Sequence, residues 1–549
     1  MTQHRLNGAT ALACILVMTL VGASCSSSDD AAAGGGSTTS VGADGYPESG
    51  PPGDEPQTID RADVDRAVEA LGPVAEAALA ETGVPGMSVA IVFEDEVVFT
   101  GGYGVREVGT DEAVDADTAF QLASLSKPVG ATVMASMVGD EVIAWDQPIA
   151  EVDPAFALAD PATTEMLTFG DLYSHRSGLP PHAGDLVEDI GFDRATVLER
   201  LRYYPLDPFR ATYAYTNFGM TEAAVAAASA DGAEWEDVSE ARLYEPLGMT
   251  NTSSRSDDYL ARTNRAVPHM RGDDGSWIVT DQQRDPDAQT PAGGVSSTAK
   301  DLAQWLRLEI NEGRYDGEQL VDAEALLAAQ SPQMITGSPR SATARSGFYG
   351  YGMNVSFDDA GRKKLSHSGA FLLGAATAFG VLTNEHLGIV VLTNGQPVGL
   401  PEVVVESFLD LATGGEVRRD WLGLFGGMMQ GTLYPEPEVD YSVVPAEAVP
   451  ERELAAYAGT YQSDIYGPLE VTSDADGALV LTLGPAGVTF TLSHYDGDTY
   501  WFMPTGENAV NPSGVVFDVP DGSDTASAVT IEWLEGEAPG RGIGTFTRG

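Results

Sequence analysis

Cysteine is almost missing from this chain of 549 residues: there are two, Cys14 and Cys25, both near the start. Beyond Cys25 no internal disulfide can form, and a zinc site there would have to use histidine and carboxylates alone. Basic residues are scarce too, 29 lysines and arginines against 82 acidic residues, for a formal charge of −53. So negative a surface repels phosphate backbones, which argues against nucleic acid as a partner. It reads as a solvated acidic shell and carries no information about a reaction. No apolar run reaches the ~20 residues that a membrane span needs. There is no Gly-x-Ser-x-Gly elbow, no His-Glu-x-x-His helix and no Gly-x-x-x-x-Gly-Lys loop, so neither metal nor nucleotide chemistry is indicated and no cofactor is expected.

What is present is a globular composition, 43% hydrophobic and 8% aromatic. The length exceeds the roughly 250 to 300 residues of a single core, so two folded units plus non-globular segments are expected. The chain opens with a charged stretch to Arg5, an apolar run from Ala11 to Val21 and then Gly22-Ala23-Ser24-Cys25, the pattern of an export signal. The tripeptide before Cys25 resembles a bacterial lipobox, with Gly22 where leucine is usual. That resemblance implies a lipid on Cys25 and a protein at the cell surface or in the periplasm, with plain secretion as the alternative.

Residues 1–25 are therefore read as a leader, and residues 26–58, rich in Ser, Gly, Ala, Asp and Pro, as a flexible tether. Apolar residues at helical spacing from Ile59 to Thr82 predict a helix. Gly86 to Val92 and Val97 to Gly104 predict a hairpin, and a second β pair is expected at Ala375 to Leu382 and Gly388 to Thr393. Strands at both ends of a helical middle predict an α+β unit over residues 59–412 whose ends build one antiparallel sheet. A Gly- and Pro-rich connection over 413–450 follows. Residues 451–549 show short alternating strands and predict a separate all-β barrel.

Lysine is the rarest basic residue, present only at 127, 300, 363 and 364. One lies in Ser124-Leu125-Ser126-Lys127. Three residues apart on a helix, hydroxyl and amine share a face about 5 to 6 Å apart. Pro128 places the motif in a first helical turn, where free amides favour developing negative charge. A serine hydroxyl needs a base, and burial can lower a lysine pKa until the neutral amine serves; a tyrosine phenolate is the other candidate. The same spacing recurs at Ser297-Thr298-Ala299-Lys300, where Thr298 and Asp301 look like a helix capping box instead.

Order separates the two. After Ser124 come Tyr215-Thr216-Asn217, the only Tyr-x-Asn in the chain, and His367-Ser368-Gly369. His182-Ala183-Gly184 and His386-Leu387-Gly388 also match the third pattern, but the first precedes Tyr215 and the second lies in a predicted turn. Ser-x-x-Lys, Tyr-x-Asn and a Lys- or His-x-Gly strand, in that order, resemble the class C β-lactamases and the related penicillin-binding DD-peptidases and esterases. Ser174-His175-Arg176-Ser177-Gly178-Leu179, Pro246-Leu247-Gly248-Met249 and Pro291-Ala292-Gly293-Gly294 strengthen the resemblance, which covers residues 60 to 412.

The resemblance implies a sheet flanked by helices with an all-helical lobe. It implies Ser124 as nucleophile, Lys127 and Tyr215 moving the proton, and Asn217 binding the substrate amide. The amides of Ser124 and Ala370 would form an oxyanion hole, with His367, Ser368 and Gly369 beside the substrate. The missing third-motif lysine argues against efficient β-lactam hydrolysis. His175 is expected to be structural. The C-terminal unit resembles a small lipocalin-like domain, most clearly at Tyr457-Ala458-Gly459-Thr460-Tyr461. The expectation is a serine hydrolase acting on D-amino-acid peptides or amides, esters or β-lactams, with a small-molecule or peptidoglycan-type substrate. The alternatives are an inactive surface lipoprotein that binds acyl or peptidoglycan ligands, and a structural wall-contacting protein.

Overall fold

The computed structural model describes residues 58–549 apart from Asp273, Arg340, Thr343, Tyr434 and Glu438. The expected leader, and all of the tether except Thr58, lie outside the described residues. The first helix, Arg61–Thr82, is fixed at both ends by local chemistry. Asp60 and Asp63 form a reciprocal capping box, and Gly83 closes the helix at φ 68° with its amide on Leu79 O.

The chain then enters an eight-stranded antiparallel sheet. In spatial order its strands are Glu96–Gly104, Gly86–Phe93, Leu387–Thr393, Ala375–Leu382, Lys363–Phe371, Asn354–Phe357, Gly347–Tyr349 and Met334–Gly337. The expected hairpins at the two ends of the unit meet at its centre, with Val89 opposite Val391 and Val391 opposite Ala378. Three of these strands, Gly86–Phe93, Ala375–Leu382 and Leu387–Thr393, are buried along their whole length because helices cover both faces. Arg61–Thr82 and Leu400–Gly414 lie on one face, and Ala299–Ile310 on the other.

Inserted between the hairpins is a helical lobe around Ser126–Gly139, a helix buried on every side from Ser126 to Met137. The stretch read as a connection contains the helix Trp421–Leu433, which packs on Leu400–Gly414 through Trp421, Phe425 and Met429. Beyond it stands a nine-stranded antiparallel sheet running from Gly459–Ser463 to Thr545–Arg548. Its two outermost strands, Val488–Thr491 and Ser493–Asp496, are consecutive in the chain with only Leu492 between them, so the sheet curls into a nearly closed barrel. Tyr457, Tyr461 and Tyr466 are fully buried inside it, two of their hydroxyls donating to the carbonyls of Tyr457 and Leu534.

The barrel and the hydrolase-like unit share a continuous apolar core. Two carboxylates of the barrel unit reach into the other unit. Glu537 accepts from the amide of Leu186 at 2.8 Å and from the Tyr204 hydroxyl at 2.5 Å, and Glu507 accepts from the amide of Leu372 at 2.6 Å.

Candidate active site

The Ser-x-x-Lys motif occupies a tight turn, Ala123–Leu125, that runs into the helix Ser126–Gly139. Ala123 is held at φ 48°, a left-handed conformation that a residue with a Cβ rarely adopts, so the turn owes its shape to its surroundings. The amide of Leu122 donates to Val295 O at 2.9 Å, and the Thr377 hydroxyl donates to Leu122 O at 2.7 Å. Ser126 Oγ accepts from the Val295 amide at 2.9 Å. The landmark Pro291-Ala292-Gly293-Gly294 segment and the third-motif strand pair thus grip the nucleophile turn from two sides.

Ser124 is partly exposed, whereas Lys127 is completely buried. Lys127 Nζ lies 3.2 Å from Ser124 Oγ, 2.7 Å from Asn217 Oδ1 and 2.8 Å from the carbonyl of Ala292. The Tyr215 hydroxyl donates to Ser124 Oγ at 2.7 Å. Lys127 Nζ also stands 4.5 Å above the Tyr215 ring. Desolvation lowers the lysine pKa from 10.5 to about 7, opposed by the charge of Asp185. Burial pushes the Tyr215 phenol well above its ordinary value, the Ser124 bond opposing it, so its phenolate is not the favoured species at neutral pH. A neutral amine has two N–H bonds and one lone pair. With the carbonyls of Asn217 and Ala292 taking the two hydrogens, the lone pair is left for the Ser124 hydroxyl.

Asn217 begins the helix Asn217–Asp231, and its Nδ2 donates to Asp185 Oδ2 at 2.8 Å. Asp185 also accepts from His182 Nδ1 at 2.8 Å, and its Oδ1 is buried without a partner. Neither residue carries a sequence signal as part of the site: Asp185 lies in no motif, and His182-Ala183-Gly184 comes before Tyr215 in the chain. Only folding brings the turn at 182–185 beside Asn217, helped by the bond from the His182 amide to Tyr215 O at 2.8 Å.

The third motif lies on the strand Lys363–Phe371 and divides by strand alternation. Gly369 faces the nucleophile turn: a Cβ there would stand 2.2 Å from Leu122 O and 3.0 Å from the Leu125 amide. By strand alternation Ser368 points the other way, toward the Glu402 carboxyl on the helix behind the sheet, so its side chain is not brought to the substrate side as expected. His367 departs from expectation as well. It is 1% exposed, with Nε2 2.9 Å from the Tyr349 hydroxyl and Nδ1 2.7 Å from Ser368 O. With Nδ1 donating and Nε2 accepting, the ring is neutral and both nitrogens are engaged. Burial and the neighbouring Lys127 lower its pKa to about 3. It therefore positions the tyrosine cluster rather than offering a cation to a carboxylate.

His175 packs among Tyr213, Tyr215 and Tyr349, with Nδ1 accepting from the Thr216 amide at 3.2 Å, the structural role expected of it. At the second Ser-x-x-Lys site, Thr298 caps the helix Ala299–Ile310 by accepting from the Asp301 amide, while Lys300 is paired with Asp117 on the surface. The cap is half of a capping box, because the Asp301 carboxylate accepts from Asn251 N and the Thr252 hydroxyl instead.

Residues 71–407 match the β-lactamase family model. The chain belongs to the β-lactamase family. It is a serine hydrolase of this family, and residues 444–539 match a second model, described as a domain of unknown function, DUF3471. It is 28% identical over 396 residues to penicillin-binding protein 4 of Amycolatopsis lactamdurans, covering 70% of this chain and 94% of that one. It is 26% identical over 456 residues to an unguisins hydrolase of Aspergillus violaceofuscus, covering 76% and 79%. The D-alanyl-D-alanine carboxypeptidase/endopeptidase AmpH of Escherichia coli is 22% identical over 341 residues, covering 60% and 85%. The octameric penicillin-binding protein homologue of Pyrococcus abyssi shares the fold, with a TM-score of 0.56 at 20% identity over 85% of this chain and 98% of that one.

Proposed function

We propose that the protein transfers acyl groups from amides or esters to water through a covalent ester on Ser124. The observation that carries this reading is the convergence of Lys127 Nζ and the Tyr215 hydroxyl on Ser124 Oγ. Lys127, as the neutral amine, takes the Ser124 proton as Oγ attacks the carbonyl carbon. The amides of Ser124 and Ala370 stabilise the oxyanion, usually the largest electrostatic contribution in such reactions. The proton passes through Tyr215 to the departing nitrogen or oxygen, and the acyl-enzyme forms as the leaving group departs. Water then attacks the ester with the same amine as base, returning the hydroxyl to Ser124. Asn217 holds Lys127 from behind and offers its amide to the substrate. The relative named as a D-alanyl-D-alanine carboxypeptidase/endopeptidase supports peptide-type substrates, and the buried, neutral His367 argues against a β-lactam carboxylate site of the lysine kind. The leader and Cys25 support export, with lipid attachment at the membrane surface.

A fluorophosphonate probe and a fluorescent penicillin test the assignment. Labelling is expected on the wild type and lost in Ser124→Ala, with hydrolysis of a nitrophenyl ester reduced by at least about 10³-fold. Labelling that persists in the variant would sink it.

A further inference from the structure

The third-motif strand Lys363–Phe371 ends one residue after Ala370, whose amide the acyl-transfer reading places at the oxyanion. Its ladder with Asn354–Phe357 stops at Ser366, so beyond that point the sheet holds the strand through Ala375–Leu382 alone. The chain then turns back through Leu372, Leu373 and Gly374, with the Gly374 amide donating to Phe371 O at 3.0 Å. Gly374 stands at φ 122° against a neighbouring segment, where a Cβ would be 2.4 Å from His269 N. The amides of Leu372 and Leu373 fall outside the ladder, yet both residues are buried. A single side chain takes both amides. Glu507 accepts from Leu372 N through Oε1 at 2.6 Å and from Leu373 N through Oε2 at 3.3 Å. Successive amides converging on one carboxylate make a small anion nest.

Glu507 is 5% exposed and belongs to the connection between the barrel strands Thr499–Phe502 and Ser513–Asp518. The next residue anchors that connection separately: Asn508 donates from its backbone N and its Nδ2 to Asp189 Oδ2, at 3.0 and 2.9 Å. Docking of the connection on the hydrolase unit therefore does not rest on the bonds from Glu507 to the turn. Two further contacts carry the hold toward the reacting serine. Phe371 packs with Ala123 and Ala375 in a small buried apolar cluster, and Ala123 immediately precedes Ser124. The Arg284 guanidinium stands 5.2 Å above the Phe371 ring, and the Arg284 carbonyl accepts from the Gln121 side-chain amide at 3.0 Å, just before the nucleophile turn.

We infer that Glu507 of the barrel unit is a positioning residue for acyl transfer, fixing the turn after the third-motif strand so that the Ala370 amide stays aimed at the oxyanion formed at Ser124. This rests on the acyl-transfer reading above. An oxyanion donor is effective only when it is held in place before charge develops, and a displacement of about 1 Å costs about 10²-fold in rate. Without Glu507 the two turn amides lose their acceptor, and the turn relaxes toward whatever oxygen it can reach. Ala370 and, through Phe371, Ala123 move with it. Glu507 touches neither the substrate nor the reacting atoms, so its effect falls on the chemical step rather than on binding.

The test uses the full purified chain and the fluorophosphonate probe, whose phosphoryl oxygen enters the same oxyanion site as the acyl oxygen. Varying the probe concentration separates the limiting labelling rate constant from the half-saturating concentration. Glu507→Ala is expected to lower the limiting rate constant about 10- to 10²-fold and to leave the half-saturating concentration within about threefold of wild type. Glu507→Gln keeps a carbonyl acceptor for the Leu372 amide and should stay within about threefold in both. So should Asn508→Ala, which loosens the same connection without touching the turn. Labelling rates are read on folded molecules alone, and Glu507→Leu, which fills the space without an acceptor, replaces E507A if that variant yields too little folded protein. A limiting rate constant unchanged in E507A and E507L, or lowered as far by E507Q or N508A, would overturn the inference while labelling of wild-type Ser124 leaves the acyl-transfer reading in place. Absence of labelling in the wild type would overturn both.

Discussion

A lysine amine in water keeps its proton to about pH 10.4, so a base at position 127 works only because the protein withholds water from it. Complete burial brings its pKa to about 7, and the nearby Asp185 charge keeps it from falling further. The sign of the pH dependence follows. Below pH 7 the ammonium dominates and cannot take the Ser124 proton, so kcat/KM should fall about tenfold per pH unit on the acid side and level off above 7. Asp185→Asn removes the charge that favours the ammonium and should move this limb to lower pH, measurable with a nitrophenyl ester from pH 5 to 9. A limb that stays in place in that variant would show that another group titrates. Ser124, Lys127, Tyr215 and Asn217 were all legible in the sequence, because chemistry restricts these residue types and their order. Asp185 was not legible, since a carboxylate 32 positions before its partner leaves no local signal.

At the scale of elements, the nucleophile turn and the third-motif strand meet closely enough to require a glycine. At Gly369 a Cβ would press on Leu122 O and the Leu125 amide, the backbone that carries Ser124. Gly369→Ala should push the turn away from Tyr215 and Lys127, and a displacement of about 1 Å is enough to lower kcat/KM about 10²-fold. Circular dichroism would show the fold intact. Wild-type activity in this variant would mean that the turn is not held by the strand. The hairpins, the first helix and the barrel strands followed from period and turn residues. The helix Trp421–Leu433 did not, because four of its thirteen residues are glycine, which argues against a helix until Trp421, Phe425 and Met429 find the helix Leu400–Gly414 to pack on.

For the whole molecule, burial has collected carboxyl groups whose pKa is raised. Glu188 and Glu402 stand at about 7, and Glu222, Glu507 and Glu537 at about 8, each against an ordinary 4.5 and each chiefly through desolvation. A carboxyl raised in the folded state binds a proton that the unfolded chain has already released. Its stabilising contribution is present in full below pH 4.5 and is lost as pH rises through 7 to 8. The formal charge of −53 acts in the same direction, since self-repulsion grows with deprotonation. The melting temperature should therefore be higher at pH 5.5 than at pH 8.5, and added salt should raise it more at the higher pH. Scanning calorimetry across this range checks both statements, and a melting temperature that climbs with pH would refute them.

The sequence by itself determined the family, the α+β unit with its following barrel, and the identity and order of the candidate site residues. Each of these is written in residue type and spacing, and so survives in one dimension. Tertiary structure alone decided that His367 is a neutral positioning residue, that Ser368 faces away from the nucleophile, and that Glu507 and Glu537 of the barrel unit reach into the hydrolase unit. The reason is physical: protonation state, side of a strand and contact between units depend on which groups exclude water from one another, and those neighbours lie from 18 positions apart, for Tyr349 and His367, to 351, for Leu186 and Glu537.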